Sequence, residues 1–332
     1  ATLIEQLSRE GHDITIIDQN AQKIQEITNQ YDIIIIGSGP AGYTAAIYAG
    51  RAGYTSAVFE KMSPGGQMGI TSSIENYPGY TEIDGFSLTE KMMKQAKKFG
   101  AVIKHEEVVS AELGGEIKLV KTKKEEYSAR AVIIATGARP RYLSVPGERE
   151  FTGRGVSYCA SCDGMFYKGK TVIVNGGGDT AIEDAMYLSN ICEKVIVVHR
   201  RSEFRASQHG VNKAREKDNI EFVMDSVVEE IVGQSCVESV KIKGVVTGEE
   251  CSVPCAGIFI AIGRIPETEL FGGQIETDKN GYIVAGEDCK TSLDGVYAVG
   301  DVRTKALRQI VTACADGANA VKSAEELLTL SE

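Results

Sequence analysis

Asp32-Ile-Ile-Ile-Ile-Gly37-Ser-Gly39-Pro-Ala-Gly42 decides the fold, because a run of isoleucines opens straight into a Gly-x-Gly-x-x-Gly turn. So apolar a run reads as a strand buried on both faces, the kind found in parallel sheets. The residues that follow, Tyr43 to Arg51, read as helix. In this setting the first glycine makes the tight turn, the second lets the backbone approach a pyrophosphate, and the third lets helix and strand pack closely. The helix N-terminus then presents its partial positive charge to the anion. Eighteen residues beyond Gly42, Ser56-Ala-Val-Phe-Glu60 reads as a second strand ending in an acid, placed to accept hydrogen bonds from an adenosine ribose. Gly37, Gly39, Gly42 and Glu60 thus mark a dinucleotide site, though the motif alone does not separate FAD from NAD.

A second turn of the same kind lies in Thr171-Val-Ile-Val-Asn175-Gly176-Gly-Gly178-Asp179-Thr180-Ala181, followed by the helical Ile182 to Leu188. Its downstream strand, Lys194-Val-Ile-Val-Val198, ends in His199-Arg200-Arg201-Ser-Glu-Phe-Arg205 where an NAD site would keep a carboxylate. Arginine offers a planar fork to a phosphate, so this site is expected to take NADPH through its 2′-phosphate. Asn175 is a polar intrusion in an otherwise apolar strand.

Cys159-Ala-Ser-Cys162-Asp163 lies just ahead of the second turn. Two thiols two residues apart can close a small disulfide, and a lowered pKa on one makes a thiolate able to attack another disulfide. Asp163 is suited to give or take the proton that exchange requires. No second cysteine pair stands at zinc-ribbon spacing, and Cys251 and Cys255 have no histidine partner, so no metal site is expected. Hydride does not pass cleanly from a nicotinamide to a disulfide, so a flavin is the expected intermediary. The first turn should therefore hold FAD.

The 332 residues allow two or three domains, and alternating short strands and helices point to an α/β fold with two Rossmann-like dinucleotide-binding domains. The expected organisation is 1–30 as an extension, 31–141 as the first segment of an FAD domain, 142–269 as an NADPH domain carrying the dithiol, and 270–332 as the second FAD segment. Arg139 to Tyr142, Pro146-Gly147 and the stretch Gly263 to Pro266 read as linkers. A net charge of −10 argues against nucleic acid as a partner. No apolar run approaches the roughly 20 residues a membrane span needs. The first residues lack a secretory pattern, so a cytoplasmic protein is expected, with its remaining six cysteines mostly buried free thiols.

In its motifs, residues 31–332 resemble the low-molecular-weight thioredoxin reductases. The resemblance lies in Gly37-Ser38-Gly39-Pro40-Ala41-Gly42, Gly65-Gly66-Gln67, Glu75-Asn76-Tyr77-Pro78-Gly79, the Cys159 to Gly164 run, Gly176 to Ala181, His199-Arg200-Arg201 with Arg205, and Gly300-Asp301 with Arg308-Gln309. It implies a homodimer that reduces a thioredoxin disulfide, with rotation of the NADPH domain letting one flavin face serve nicotinamide and dithiol in turn. It further implies that Cys162 lies next to the flavin, that Cys159 meets the thioredoxin disulfide and that Asp163 is the acid/base. Flavin contacts are implied at the first turn, at Glu60, Lys61 and Gly65 to Gln67, at Asn76, Thr136 and Gly137, and at Gly300, Asp301, Arg308, Gln309 and Ile310. NADPH contacts are implied at Gly176, Gly178, Asp179, Thr180 and the His199 to Arg205 cluster.

Residues 1 to 30 read as helix, strand and helix without a Gly-rich turn, and Asp18 ends the strand. They resemble part of a TrkA-type NAD-binding domain, here expected to be an appended packing element without a dinucleotide of its own. Three other functions fit the motifs less well. A peroxiredoxin-feeding flavoprotein would carry an amino-terminal cysteine pair, and residues 1 to 30 contain none. A ferredoxin-driven relative would not need Arg200, Arg201 and Arg205. A nucleotide-gated redox sensor would not turn over rapidly with NADPH and a disulfide protein.

Overall fold

The computed structural model describes residues 29–61, 64–71 and 73–329. The extension compared above with TrkA-type domains lies, apart from its last two residues, outside the described residues.

In chain order the elements are β1 (Gln30–Ile36), α1 (Pro40–Arg51), β2 (Ser56–Phe59), α2 (Gly85–Lys98), β3 (Val102–Lys104), β4 (Val108–Glu112), β5 (Lys118–Thr122), β6 (Glu126–Ile134) and β7 (Ala138–Pro140). They continue as β8 (Val156–Ser157), α3 (Ala160–Asp163), β9 (Thr171–Asn175), α4 (Asp179–Ser189), β10 (Lys194–Val198), α5 (Gln208–Arg215) and β11 (Ile220–Val223). A meander β12 (Ser226–Gly233), β13 (Val237–Gly244) and β14 (Glu250–Pro254) leads to β15 (Gly257–Ile260), β16 (Arg264–Pro266), β17 (Val296–Ala298) and α6 (Ile310–Thr329).

The chain forms two compact units, one of the described residues up to Arg139 together with those from Pro266 onward, the other of Pro140–Ile265. The short strands β7 and β16 contain the two points of passage. In the first unit a seven-stranded sheet runs β3-β2-β1-β6-β5-β4, with β17 also on β6. Strands β1, β2, β3, β6 and β17 pair in parallel, and β4 and β5 add an antiparallel flank. Ile33 to Ile36 are buried, as the opening isoleucine run requires of a strand covered on both faces.

Helix α1 is built of small residues where it must pack closely. A Cβ at Gly317 of α6 would collide with the Ala41 carbonyl oxygen, and one at Gly50 with the Phe99 carbonyl oxygen. Glycine at 317 lets α6, from the far end of the chain, lie against the helix that follows the first turn, and glycine at 50 lets α1 pack against the end of α2.

The second unit holds a five-stranded sheet in the order β11-β10-β9-β15-β8, all of its pairs parallel, beside the antiparallel β12-β13-β14 meander. Strand β9 runs Thr171–Asn175 as read from sequence, whereas α1 begins at Pro40, earlier than the Tyr43 start read from sequence. Proline suits the first helical position because its missing N–H has no intrahelical partner there. The free cysteines are less uniformly buried than expected. Cys192, Cys255 and Cys289 are buried, Cys314 is half-buried, and Cys236 and Cys251 are exposed on the meander, which presents one face to solvent.

Candidate functional site: two glycine turns and a disulfide

The first turn leaves β1 at Gly37, whose φ of +110° suits only glycine without strain. A Cβ there would meet the Ala135 carbonyl oxygen, and one at Gly42 would meet the Gly37 carbonyl oxygen. The middle glycine is different. Gly39 is the N-cap of α1, and a Cβ built on it meets nothing within 4 Å. Helix α1 has neither a capping side-chain hydrogen bond nor an acid in its first turn, so no side chain caps its leading N–H groups. Two glycines are thus fixed by the protein's own packing, and the third is explained by room for a ligand.

Around this turn gather most residues the sequence singled out. Ser38 Oγ donates to Glu60 Oε2, and Gly65 N donates to the Ser38 carbonyl at 3.1 Å. Gln67 Nε2 donates to the Ala138 carbonyl. Thr136 Oγ1 donates to the Glu267 carbonyl at 2.7 Å, Glu267 N to the Gly137 carbonyl at 3.0 Å, and the Glu267 carboxylate pairs with Arg139 at 2.9 Å and Lys61 at 3.8 Å. Glu267 carried no signal in the sequence.

Asn76 Nδ2 donates to Gln309 Oε1 at 3.1 Å, which joins two predicted contacts 233 residues apart. Gly300 (φ +73°) lies against Ala41 of the first turn, whose methyl a Cβ built on it would meet at 3.2 Å. Arg308 stacks over Tyr282 at 4.2 Å, and its buried Nε has no hydrogen-bond partner among the described residues. An orphaned cationic donor and an open helix N-terminus are features that the pyrophosphate and polar groups of FAD would satisfy. The residues present fit that cofactor.

The second turn repeats the logic with different neighbours. A Cβ at Gly176 would meet the Ala261 carbonyl oxygen and the Ala181 methyl, whereas Gly178, the N-cap of α4, again faces open space. A Cβ at Gly177 would strike the His199 imidazole. His199 is 5% exposed, stacks on Phe204 at 5.4 Å, and its Nε2 lies 3.1 Å from the Glu203 carbonyl oxygen. Burial pushes its pKa down, the hydrogen bond with the Glu203 carbonyl opposes this, and Arg205, Arg201 and Arg200 push it down again, with a lowered value as the result; the ring serves as a platform beneath the turn.

Arg200, Arg201 and Arg205 are exposed around that platform. Their loop is tied to the turn by Arg205 N donating to the Gly177 carbonyl at 2.8 Å and by Ser207 N donating to Asp179 Oδ1 at 2.7 Å. Asp179, read from the motif as a cofactor contact, therefore spends one oxygen on the loop. Thr180 is exposed in the first turn of α4, and Asn175 lies buried at the end of β9 with its carbonyl accepting from Ala261 N at 2.8 Å.

Cys159 and Cys162 are joined in a disulfide, with Cα atoms 5.3 Å apart; Cys159 is the N-cap of the short helix α3 and Cys162 lies within it. Cys159 is half-buried and Cys162 exposed. Asp163 follows at the end of the helix. Burial raises its carboxyl pKa, and a hydrogen bond from Ser157 pulls the other way. Ser157 Oγ lies 2.6 Å from Asp163 Oδ2. Sequence reasoning passed over this serine, and its only signal was a hydroxyl two residues ahead of the pair.

A further ionic group also escaped the sequence. Asp316, on α6, accepts Gly300 N at 2.8 Å together with bonds from Arg303 and Lys305. Among the described residues no helix is long and apolar enough to cross a membrane, and no group of three or more His, Cys, Asp or Glu side chains is placed to hold a metal ion.

Comparison with known proteins agrees with this geometry. The sequence profile of the pyridine nucleotide-disulphide oxidoreductases matches residues 31–317. A thioredoxin reductase from Peptoclostridium acidaminophilum is 48% identical over 305 residues, covering 90% of this chain and 97% of its own. A bifunctional thioredoxin reductase/thioredoxin from Mycobacterium leprae is 44% identical over 301 residues, 90% of this chain and 66% of its own length. The crystal structure of thioredoxin reductase from Streptococcus pyogenes superposes with a TM-score of 0.86 at 44% identity, covering 92% of this chain and 99% of that one. This chain belongs to the pyridine nucleotide-disulphide oxidoreductases and, within them, to the thioredoxin reductase family, in which FAD and NADPH are the cofactors.

Proposed function

We propose that the protein oxidises NADPH and reduces the disulfide of a thioredoxin, with the Cys159–Cys162 pair as the exchanging dithiol. The observation that carries this is the Cys159–Cys162 disulfide with Asp163 beside it, in the same unit as an arginine-rimmed glycine turn. In the balanced reaction NADPH, a proton and thioredoxin disulfide give NADP⁺ and thioredoxin dithiol. Bound FAD supplies the step between hydride and disulfide chemistry.

The chain's own residues bind and orient. The N-terminus of α1 holds the flavin pyrophosphate, Glu60 the adenosine ribose, and Lys61, Gly65 to Gln67, Asn76, Thr136, Gly137, Gly300, Asp301 and Arg308 to Ile310 the remainder. The N-terminus of α4 holds the NADPH pyrophosphate, and Arg200, Arg201 and Arg205 hold the 2′-phosphate. Cys159 attacks the thioredoxin disulfide, Cys162 closes on Cys159 to release it, and Asp163 moves the proton to the leaving sulfur. The M. leprae relative, whose name joins reductase and thioredoxin in one chain, supports thioredoxin as the partner. We assign a homodimer in the cytoplasm, and we read residues 1 to 30 as an appended TrkA-like element that takes no part in the reaction.

The test is anaerobic titration of the purified protein with NADPH and with NADH, following flavin absorbance, with oxidised thioredoxin added afterwards. Bleaching at far lower NADPH than NADH, reversed by thioredoxin in the wild type but not in Cys159→Ser, is expected. Flavin reduction that never reaches thioredoxin would overturn the partner assignment.

A further inference from the structure

Ser157 ends β8 at 3% exposure, and its hydroxyl sits among three polar atoms of the dithiol turn. Oγ is 2.6 Å from Asp163 Oδ2, 3.1 Å from Cys159 N and 3.3 Å from the Cys159 carbonyl oxygen. The amide can only donate to Oγ, and both oxygens can accept from it. The single hydroxyl proton therefore has two places to go.

We propose that Ser157 is a positioning residue that holds the Asp163 carboxyl against the dithiol turn and keeps it hydrogen-bonded in both of its charge states. When Asp163 is ionised, the hydroxyl donates to Oδ2 and accepts from Cys159 N. When Asp163 is protonated, the carboxyl donates to Oγ and the hydroxyl turns to the Cys159 carbonyl. Oγ then accepts twice, which its two lone pairs permit. Neither state leaves a buried polar group of this cluster unpaired, so neither is penalised by burial.

An acid/base must pass through both states. In the exchange, two thiols become a disulfide while two electrons and two protons go to the partner's sulfurs. Asp163 takes the proton of each attacking thiol in turn and returns it to the partner thiolate that departs, and Ser157 reorients without net gain or loss of a proton. Among the described residues the Tyr167 phenol faces Asp163; it is pushed up to about 12, first by burial and then by Asp163, and so stays neutral. The inference rests on the acid/base reading of Asp163 but not on the identity of the partner.

The experiment follows iodoacetamide alkylation of Cys159 and Cys162, by peptide mass spectrometry, in dithiothreitol-reduced holoprotein from about pH 5 to about pH 9. Loss of the hydroxyl removes a bond that favours the ionised carboxyl, so in Ser157→Ala the acidic limb should move up by about half a pH unit or more. Ser157→Thr, which keeps the hydroxyl, should match the wild type. In an Asp163→Asn background Ser157→Ala should have no further effect. Should the alanine variant fold poorly, Ser157→Cys, with a weaker donor, should shift in the same direction. An unmoved limb in either hydroxyl-free variant, or the same shift with and without Asp163, overturns the proposal. If Asp163→Asn alone leaves the profile unchanged, the acid/base reading of Asp163 falls and takes this role with it.

Discussion

Arg303 grips Asp316 at two points, Nε to Oδ2 at 2.9 Å and Nη2 to Oδ1 at 2.7 Å, with Asp316 only 4% exposed. Oδ2 also takes Lys305 Nζ at 2.7 Å and Gly300 N at 2.8 Å, so one carboxylate ties α6 to the turn that carries Asp301. Removing it in Asp316→Ala leaves two cations without their counter-charge, a change expected to cost about 3–5 kcal/mol. Urea denaturation of the two proteins measures the difference. Burial pushes the Asp316 carboxyl up, but hydrogen bonds from Arg303 and Lys305, the Lys305 charge and the Gly300 amide outweigh it and hold the pKa below its ordinary value. The stabilisation is therefore complete above the unfolded value of about 3.9 and fades as pH falls through the lower folded value. The gap between wild type and variant should close only in strong acid, and a gap that closes near neutrality would contradict the assignment.

Asp179 links the second glycine turn to the arginine loop through Ser207 N, and the Arg205 N to Gly177 bond is the other tie. Asp179→Ala should loosen the loop while leaving Gly176 and Gly178 in place. We expect 2′,5′-ADP to bind about tenfold more weakly, equivalent to about 1.4 kcal/mol, with 5′-AMP little affected. Asp179→Asn keeps an acceptor and should retain most of the affinity. Calorimetry with the two nucleotides decides the matter. Equal weakening of both would show that Asp179 supports the turn as a whole.

The thiols outside the disulfide should separate by burial. Burial raises Cys192 to about 11, and it raises Cys255 and Cys289 to about 12. Few thiolates form there, and reagents cannot reach them. In the native oxidised protein a colorimetric disulfide reagent should react promptly with Cys236 and Cys251, and with Cys192, Cys255 and Cys289 only after denaturation. Prompt reaction at any of those three would show local opening of the core.

The glycine turns, the acid ending β2, the arginines after β10 and the Cys159–Cys162 pair were legible because each depends on a short stretch of chain. Their chemistry follows from side-chain type and spacing, and strand and helix periods place them. Ser157, Glu267 and Asp316 were not legible. Each is an ordinary polar residue whose role depends on what the fold brings near it, as with Glu267 beside Lys61 and Arg139, or Asp316 beside Gly300.

By itself, then, the amino-acid sequence determined two dinucleotide turns, a redox pair and the parallel sheets that carry them, because backbone conformation and local spacing are properties of neighbouring residues. Only the tertiary structure decided that Gly37 and Gly42 are held by protein packing while Gly39 faces open space, that His199 is a buried platform with the arginines exposed around it, and that Ser157 attends the acid beside the disulfide. Those distinctions turn on contacts between residues far apart in the chain, and close packing sets such contacts only once the whole unit has folded.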